Sequence, residues 1–366
     1  MNIKKTANGC DFIVEINENR KLRLLQLTDM QVIDSMQKRT PERLGREATD
    51  AWVPENFDAL CGNHIRALVA QTNPDLIFIT GDIIYGSFDD NGTSLEWFCD
   101  FMDSLKIPWA PTFGNHDNES KKGVDWQCSQ FEKSKWCVFK RGNVTGNSNF
   151  TVGISSAGEL RAVLHLLDTN ACIYERGLYP DQLEMVKANT LKIQENFGRK
   201  VPAFLGLHIP TTEFVDAEIS KGYKTDTREL YTIGVDADKK DNDFGCKKQG
   251  LKLPIKAENF LEIIKESNVK AVFAGHFHCI NTVIEYEGIR WVFGLKTGQY
   301  DNHIPGQVGG TLLTIDGDDF DVCHIPSLVP YGKYPKMRRC LMISSVNEKK
   351  NDIVKISFFF VYSISS

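Results

Sequence analysis

Short apolar runs alternate along this chain with segments whose apolar residues recur at helical spacing. Residues 22–28, 76–80, 108–113, 203–207 and 269–274 form brief runs rich in β-branched and aromatic side chains, the make-up of buried strands. Segments 55–71, 94–106, 181–195 and 256–266 instead set apolar residues three or four apart against polar faces and predict amphipathic helices. The third of these opens at Pro180 and closes at Gly198, the usual asymmetry of helix ends. Further strands are expected at 149–154, 160–167 and 311–315, with 282–287 and 289–293 paired through Gly288. Two sheets face to face with helices outside accommodate this alternation, so the fold class is α/β.

Each of the first five runs stops at a short polar block. In order these are Asp29-Met30-Gln31, Gly81-Asp82-Ile83-Ile84-Tyr85, Gly114-Asn115-His116-Asp117, His208-Ile209-Pro210 and Gly275-His276-Phe277-His278. Side chains just past strand ends can converge in one crevice. What would converge is a mixture of carboxylates, amides, a phenol and imidazoles, suited to hard divalent or trivalent ions and not to an all-thiolate structural site. A lone Gly-Asp or His-x-His is common and points to nothing by itself. Five such blocks in order, each at a strand end, read together as a two-metal phosphoesterase site.

These blocks resemble the signature of the calcineurin-like metallophosphoesterase superfamily, D-x-H, G-D, G-N-H-[DE], H and G-H-x-H, over roughly residues 20–320. Stretches 107–118 and 203–210 look most like its purple-acid-phosphatase-related branch. The resemblance implies a four-layer αββα sandwich of two facing mixed β-sheets with outer helices. One position departs: Gln31 stands where the superfamily usually places a metal-binding histidine. Purple acid phosphatases also lack that histidine and use the tyrosine of a G-D-x-x-Y block, which Tyr85 matches here. By resemblance, Asp29, Tyr85 and His278 hold one metal, Asn115, His208 and His276 hold the other, and Asp82 bridges them. Gln31 remains an alternative ligand through its carbonyl oxygen, and Tyr85 an ordinary core or rim aromatic. His116 would face the leaving-group oxygen as proton donor, with Asp117 behind it fixing the imidazole. The implied cofactor is two metal ions, Fe, Mn or Zn. A cation pair roughly 3.5–4 Å apart polarises a phosphoryl oxygen and activates water, so attack on phosphorus needs no covalent enzyme nucleophile. The expected activity is hydrolysis of phosphate monoesters. Phosphodiester or nucleotide hydrolysis is the alternative within the class, and a binding module that has lost its first metal is the alternative outside it.

With 366 residues, 42% hydrophobic and 25% charged, the chain can bury a large core. One domain over 1–330 is expected, followed by a C-terminal extension, 331–366. A net charge of −5 without a long Lys/Arg cluster argues against nucleic acid and leaves phosphorylated small molecules or proteins as partners. Ten cysteines are scattered without C-x-x-C spacing, as buried thiols in a reducing compartment are; Cys128 and Cys137, between Trp126 and Trp136, form the one local pair that could bridge. The start lacks an apolar leader-like region and no run reaches membrane-spanning length, so no membrane association and a cytoplasmic location are the expectation. Two long polar segments, 118–148 and 211–250, are expected to fold over the site mouth. Arg39, Arg43 and Arg46 are candidate phosphate clamps, and His303 in the 298–310 loop could reach a substrate. His64 and His165 fall inside an expected helix and strand and read as structural.

Overall fold

The computed structural model describes residues 2–34, 37, 39, 52–170, 177–222, 230, 231, 240, 241, 257–278, 280–304 and 306–329. Its strands are β1 (Asn2–Lys5), β2 (Phe12–Ile16), β3 (Leu22–Leu27), β4 (Leu76–Thr80), β5 (Trp109–Thr112), β6 (Phe150–Ser156), β7 (Glu159–Leu166), β8 (Ala203–Gly206), β9 (Leu230–Tyr231), β10 (Lys240–Asp241), β11 (Val269–Ala274), β12 (Val283–Tyr286), β13 (Ile289–Phe293), β14 (Gly309–Asp316) and β15 (Asp319–Pro326). The helices are α1 (Asn63–Thr72), α2 (Thr93–Ser104), α3 (Gly123–Lys133), α4 (Pro180–Phe197), α5 (Thr212–Ser220) and α6 (Phe260–Glu266).

The larger sheet runs β1-β2-β6-β7-β8-β11-β13-β12 and the smaller β15-β14-β3-β4-β5; among the described residues β9 and β10 pair with each other alone. Both main sheets are mixed. In the smaller, β3, β4 and β5 are parallel, with β14 and β15 added antiparallel. In the larger, β7, β8, β11 and β13 are parallel to their neighbours in turn. Parallel strands are covered on both faces. β4, Leu-Ile-Phe-Ile-Thr, is accordingly buried at every position. The edge strand β15 instead alternates, with Asp319, Asp321 and Cys323 toward solvent, and charged residues on an exposed edge discourage pairing with another chain.

The sheets meet face to face. Phe78 of β4 and Phe273 of β11 pack edge-on with ring centroids 5.2 Å apart. A Cβ on Gly206 would stand 3.4 Å from Thr80 and 3.6 Å from Phe78 of the opposite sheet, so the two sheets are in van der Waals contact there. On the outer side of the larger sheet, Leu183, Val186, Phe214, Phe260 and Ile264 of α4, α5 and α6 bury with Val163, Leu205, Val272 and Trp291. On the outer side of the smaller, α1 packs on β14 and Phe98 of α2 meets Trp109 of β5. Four layers in the order αββα result, as the resemblance implied.

Several expectations change in detail. The helix expected at 55–71 begins as a π-turn at Asp58–Gly62 before α1, and that expected at 256–266 is regular only over α6. Segment 118–148 is not simply a loop over the site. Its α3 buries Gln127, Cys128 and Phe131, and Phe131 packs against Trp109, Phe113 and Phe139, burial worth about 1.5–3 kcal/mol for such a side chain. Segment 211–250 opens as α5, and most of its remainder lies outside the described residues. Cys128 and Cys137, the one local pair that could bridge, are free thiols; Cys128 belongs to the core face of α3. β1, β2 and β15 were not anticipated. His64 and His165 are structural as expected: His64 bonds Ser327 Oγ and Gln299, and His165 bonds Thr151. Among the described residues no helix is long and apolar enough to cross a membrane.

Candidate functional site

Each polar block begins where a central strand ends, and three of the turns use left-handed backbone at non-glycine residues, four in all. These are Asp29 (φ 55°), Gln31 (φ 51°), Asp82 (φ 53°) and His276 (φ 72°). Such conformations cost about 1–3 kcal/mol each and cluster at functional sites. Two glycines let the blocks close on one another. A Cβ on Gly114 would sit 2.2 Å from Asp82 Oδ1, and one on Gly275 would sit 2.0 Å from Thr28 Oγ1.

The blocks bring two overlapping groups of donor atoms together. Asp82, His208 and His276 each present a ligand atom within 4.8 Å of the others, as do Asp29, Asp82 and His278, so Asp82 is common to both. His208 Nε2 lies 3.3 Å from Asp82 Oδ2, 3.1 Å from Asn115 Oδ1 and 3.3 Å from His276 Nδ1. His278 Nε2 lies 3.4 Å from Asp29 Oδ1. Two backbone carbonyls set the tautomers. Thr80 O is 2.7 Å from His208 Nδ1 and Asn302 O is 2.9 Å from His278 Nδ1; a carbonyl only accepts, so Nδ1 carries the proton and each Nε2 faces the cluster. Asp29 is held by Thr28 Oγ1, donating at 2.7 Å, and by the His276 N–H at 3.0 Å.

The electrostatics are those of a site shaped for cations. Burial would push the Asp29 carboxyl up, but His278 and His208 outweigh it and hold it at about 2. Asp82 is likewise held well below the usual carboxylate range despite its burial, chiefly by His208 and His116. Burial lowers His208, yet Asp82 and Asp29 raise it to about 9, whereas burial and His208 together press His276 down to about 3. The carboxylates thus draw a proton into a cluster whose imidazoles must be neutral to ligate.

Asp117 takes a different position from that expected beside His116. The His116 N–H donates to Asp82 Oδ1 at 2.8 Å, and its Nδ1 is 2.7 Å from Glu119 Oε2. Burial lowers its pKa, but Asp82 and Glu119 overcome this and lift it to about 9. Asp117 does not stand behind that imidazole, because Glu119 does. Its carboxylate instead accepts three backbone N–H groups, from Asp82 (2.8 Å), Gly114 (2.7 Å) and Ile84 (3.0 Å). The residue expected to orient the histidine therefore ties the second and third blocks together.

Tyr85 is buried beside the cluster, its ring 4.4 Å from His116 and packed against Phe88 and Trp52. Gln31 is fully buried, with Nε2 3.5 Å from Asp82 Oδ2. Its Oε1 accepts from the ammonium of Lys296 at 2.9 Å, which also donates to the backbone carbonyl of Asp29. Lys296 is buried too; desolvation lowers its pKa, while Asp29, Asp301 and Asp82 oppose that fall. Neither Lys296 nor Glu119 was anticipated. Glu119 lies at i+3 from His116 in a block already singled out, which is a usable signal, but nothing in the run after β13 marks Lys296.

The clamp candidates fare unevenly. Arg39 is exposed, ion-paired to Asp90 and laid over Phe88, outside the donor cluster. Arg43 and Arg46 lie outside the described residues. His303 is bonded through Nδ1 to Asp301 O, and burial lowers it to about 4; its neighbour Asn302 supplies the carbonyl that orients His278.

A family model for the calcineurin-like phosphoesterases matches residues 22–279, which span all five blocks. The chain belongs to that family. This calcineurin-like phosphoesterase is 25% identical over 289 residues to Phosphatase DCR2 of Saccharomyces cerevisiae, covering 74% of this chain and 46% of that protein. It is 23% identical over 269 residues to Probable inactive purple acid phosphatase 29 of Arabidopsis thaliana, covering 66% and 63% of the two. The chain thus spans less than two thirds of the length of either relative. Among solved structures it is similar to a dimetal phosphatase from Danio rerio, with 11% identity, a TM-score of 0.49 and coverage of 84% and 96%.

Proposed function

We propose that this phosphoesterase hydrolyses phosphate monoesters at a dinuclear metal centre. The observation that carries the reading is the position of Asp82, one buried carboxylate common to two groups of donor atoms. The donors are carboxylate oxygens, an amide oxygen and imidazole nitrogens with no thiolate among them, a set that fits Fe, Mn or Zn. Asn115, His208 and His276 would hold one ion, Asp29 and His278 the other with Tyr85 at its border, and Asp82 both. Such an ion pair supplies Lewis-acid polarisation of phosphoryl oxygen and a nucleophile near neutral pH.

The protein's own groups do the rest. Thr80 and Asn302 hold the two imidazoles in the ligating tautomer, and Thr28 and the His276 N–H fix Asp29. Glu119 supports the assignment of His116 as a proton donor: its carboxylate at Nδ1 favours the protonated imidazole and leaves Nε2 to face a leaving-group oxygen. A cationic imidazole beside the donors also suits a dianionic monoester better than a monoanionic diester.

The test uses aryl monoesters graded by leaving-group pKa, with an aryl diester and nucleotides alongside. His116→Ala should retain metal and lose about 10²–10⁴-fold in turnover of poor leaving groups, with little loss for good ones. Equal loss across the series would remove the proton-donor role. A wild-type preference for the diester would replace the monoester reading, and wild-type protein that retains no metal would sink the dinuclear one.

A further inference from the structure

The two halves of the donor cluster are not equivalent, and the difference lies in a buried cation. Lys296 sits against the half formed by Asp29 and His278, where its Nζ meets Gln31 Oε1 at 2.9 Å and the Asp29 carbonyl. An ammonium only donates, and the Gln31 side chain has a single acceptor atom. Gln31 Oε1 is accordingly turned to Lys296. The amide NH2 is left to face Asp82, 3.5 Å from Oδ2, and an NH2 group cannot ligate a metal. Gln31 and Lys296 are both buried, so neither side chain swings out to exchange these roles with water.

We propose that Lys296 is a built-in positive charge in the first half of the site, which keeps Gln31 from acting as a ligand and makes the Asp29/His278 half the weaker of two metal sites. This rests on the dinuclear reading above. Two effects act in the same direction. With no ligand from position 31, the Asp29/His278 half has Asp29, His278 and the shared Asp82, with Tyr85 at its border, while the other half has Asn115, His208 and His276 beside Asp82. A fixed ammonium bonded to the Asp29 carbonyl also repels a cation brought to the Asp29 carboxylate, and low-dielectric surroundings make that repulsion large. The protein would then work with one firmly held ion and a second recruited only at higher metal concentration.

The experiment is equilibrium dialysis of the full chain, stripped with chelator, against graded Mn(II) and separately Zn(II), with bound metal counted by mass spectrometry and folding monitored by circular dichroism. Wild type should bind two ions with affinities at least tenfold apart. His208→Ala should abolish the tight ion and Asp29→Asn the weak one. Lys296→Met removes the charge and frees Gln31 Oε1, so it should tighten the weak ion at least tenfold and leave the tight one within threefold. Gln31→Leu should leave both affinities within threefold, and it decides the matter if Lys296→Met does not fold. Two ions of equal affinity in wild type, or loss of the weak ion in Gln31→Leu, would overturn the proposal while the dinuclear reading stands. Binding of no metal by wild type would overturn the dinuclear reading itself.

Discussion

Removing the Asp117 carboxylate should damage this fold more than removing any one metal ligand. Its oxygens accept the N–H groups of Asp82, Gly114 and Ile84 at 2.7–3.0 Å, and all three donors are buried. Asp117→Ala orphans three buried N–H groups, each costing about 1–3 kcal/mol, so the loss is about 3–9 kcal/mol against a total stability on the order of 5–15 kcal/mol. Asp117→Asn is milder. Its carbonyl can replace Oδ2, which accepts from both Asp82 and Gly114, while its NH2 confronts only the Ile84 N–H; one orphaned donor corresponds to about 1–3 kcal/mol. Glu119→Gln, at a side chain partly open to solvent, should shift stability by less than about 1 kcal/mol while altering His116. Urea unfolding of metal-free protein orders the three variants without interference from bound ions. If Asp117→Ala unfolds within about 1 kcal/mol of wild type, the carboxylate is not the clamp between the second and third blocks.

Much of the site was readable because its chemistry is local in sequence. A buried parallel strand is a short apolar run, and the residue that leaves its carboxyl end is polar where it meets a site; Asp29, Asp82, Asn115, His208, His276 and His278 could all be placed by that rule. Their approach across two sheets depends on strand order, which periodicity does not encode, and came only with the family resemblance. Asp117 was misjudged for a related reason. Adjacency to His116 suggested a side-chain partner, but its carboxylate bonds backbone N–H groups, and these leave no trace in side-chain pattern. Lys296 was invisible because a lysine after a strand is ordinarily a solvated surface residue. Only its contacts with Gln31 and Asp29, 265 and 267 residues away, reveal it as a buried charge. α3 was overlooked since Gly123 opens it and polar residues dominate its outer face, so the burial of Gln127, Cys128 and Phe131 comes from tertiary packing.

Gly114→Ala should fold less stably by about 1–3 kcal/mol and bind metal poorly, because the new methyl would stand 2.2 Å from Asp82 Oδ1 and 2.4 Å from Asp82 N; metal content equal to wild type would show that the second block can give way. Glu218 of α5 offers a pH test. It is fully buried, and desolvation, only partly offset by Thr282, raises its carboxyl from 4.5 to about 7. A folded-state pKa above the unfolded value means that the native protein holds the proton more tightly. Its contribution to stability is therefore complete below pH 4.5 and is lost as pH rises through 7, a change of up to about 3 kcal/mol. Glu218→Gln has no proton to lose, so between pH 5 and pH 8 it should lose less stability than wild type, and at pH 8 it should be the more stable protein. Parallel urea titrations at the two pH values measure this, and an identical pH response in the two proteins would show that Glu218 is not held neutral by its burial.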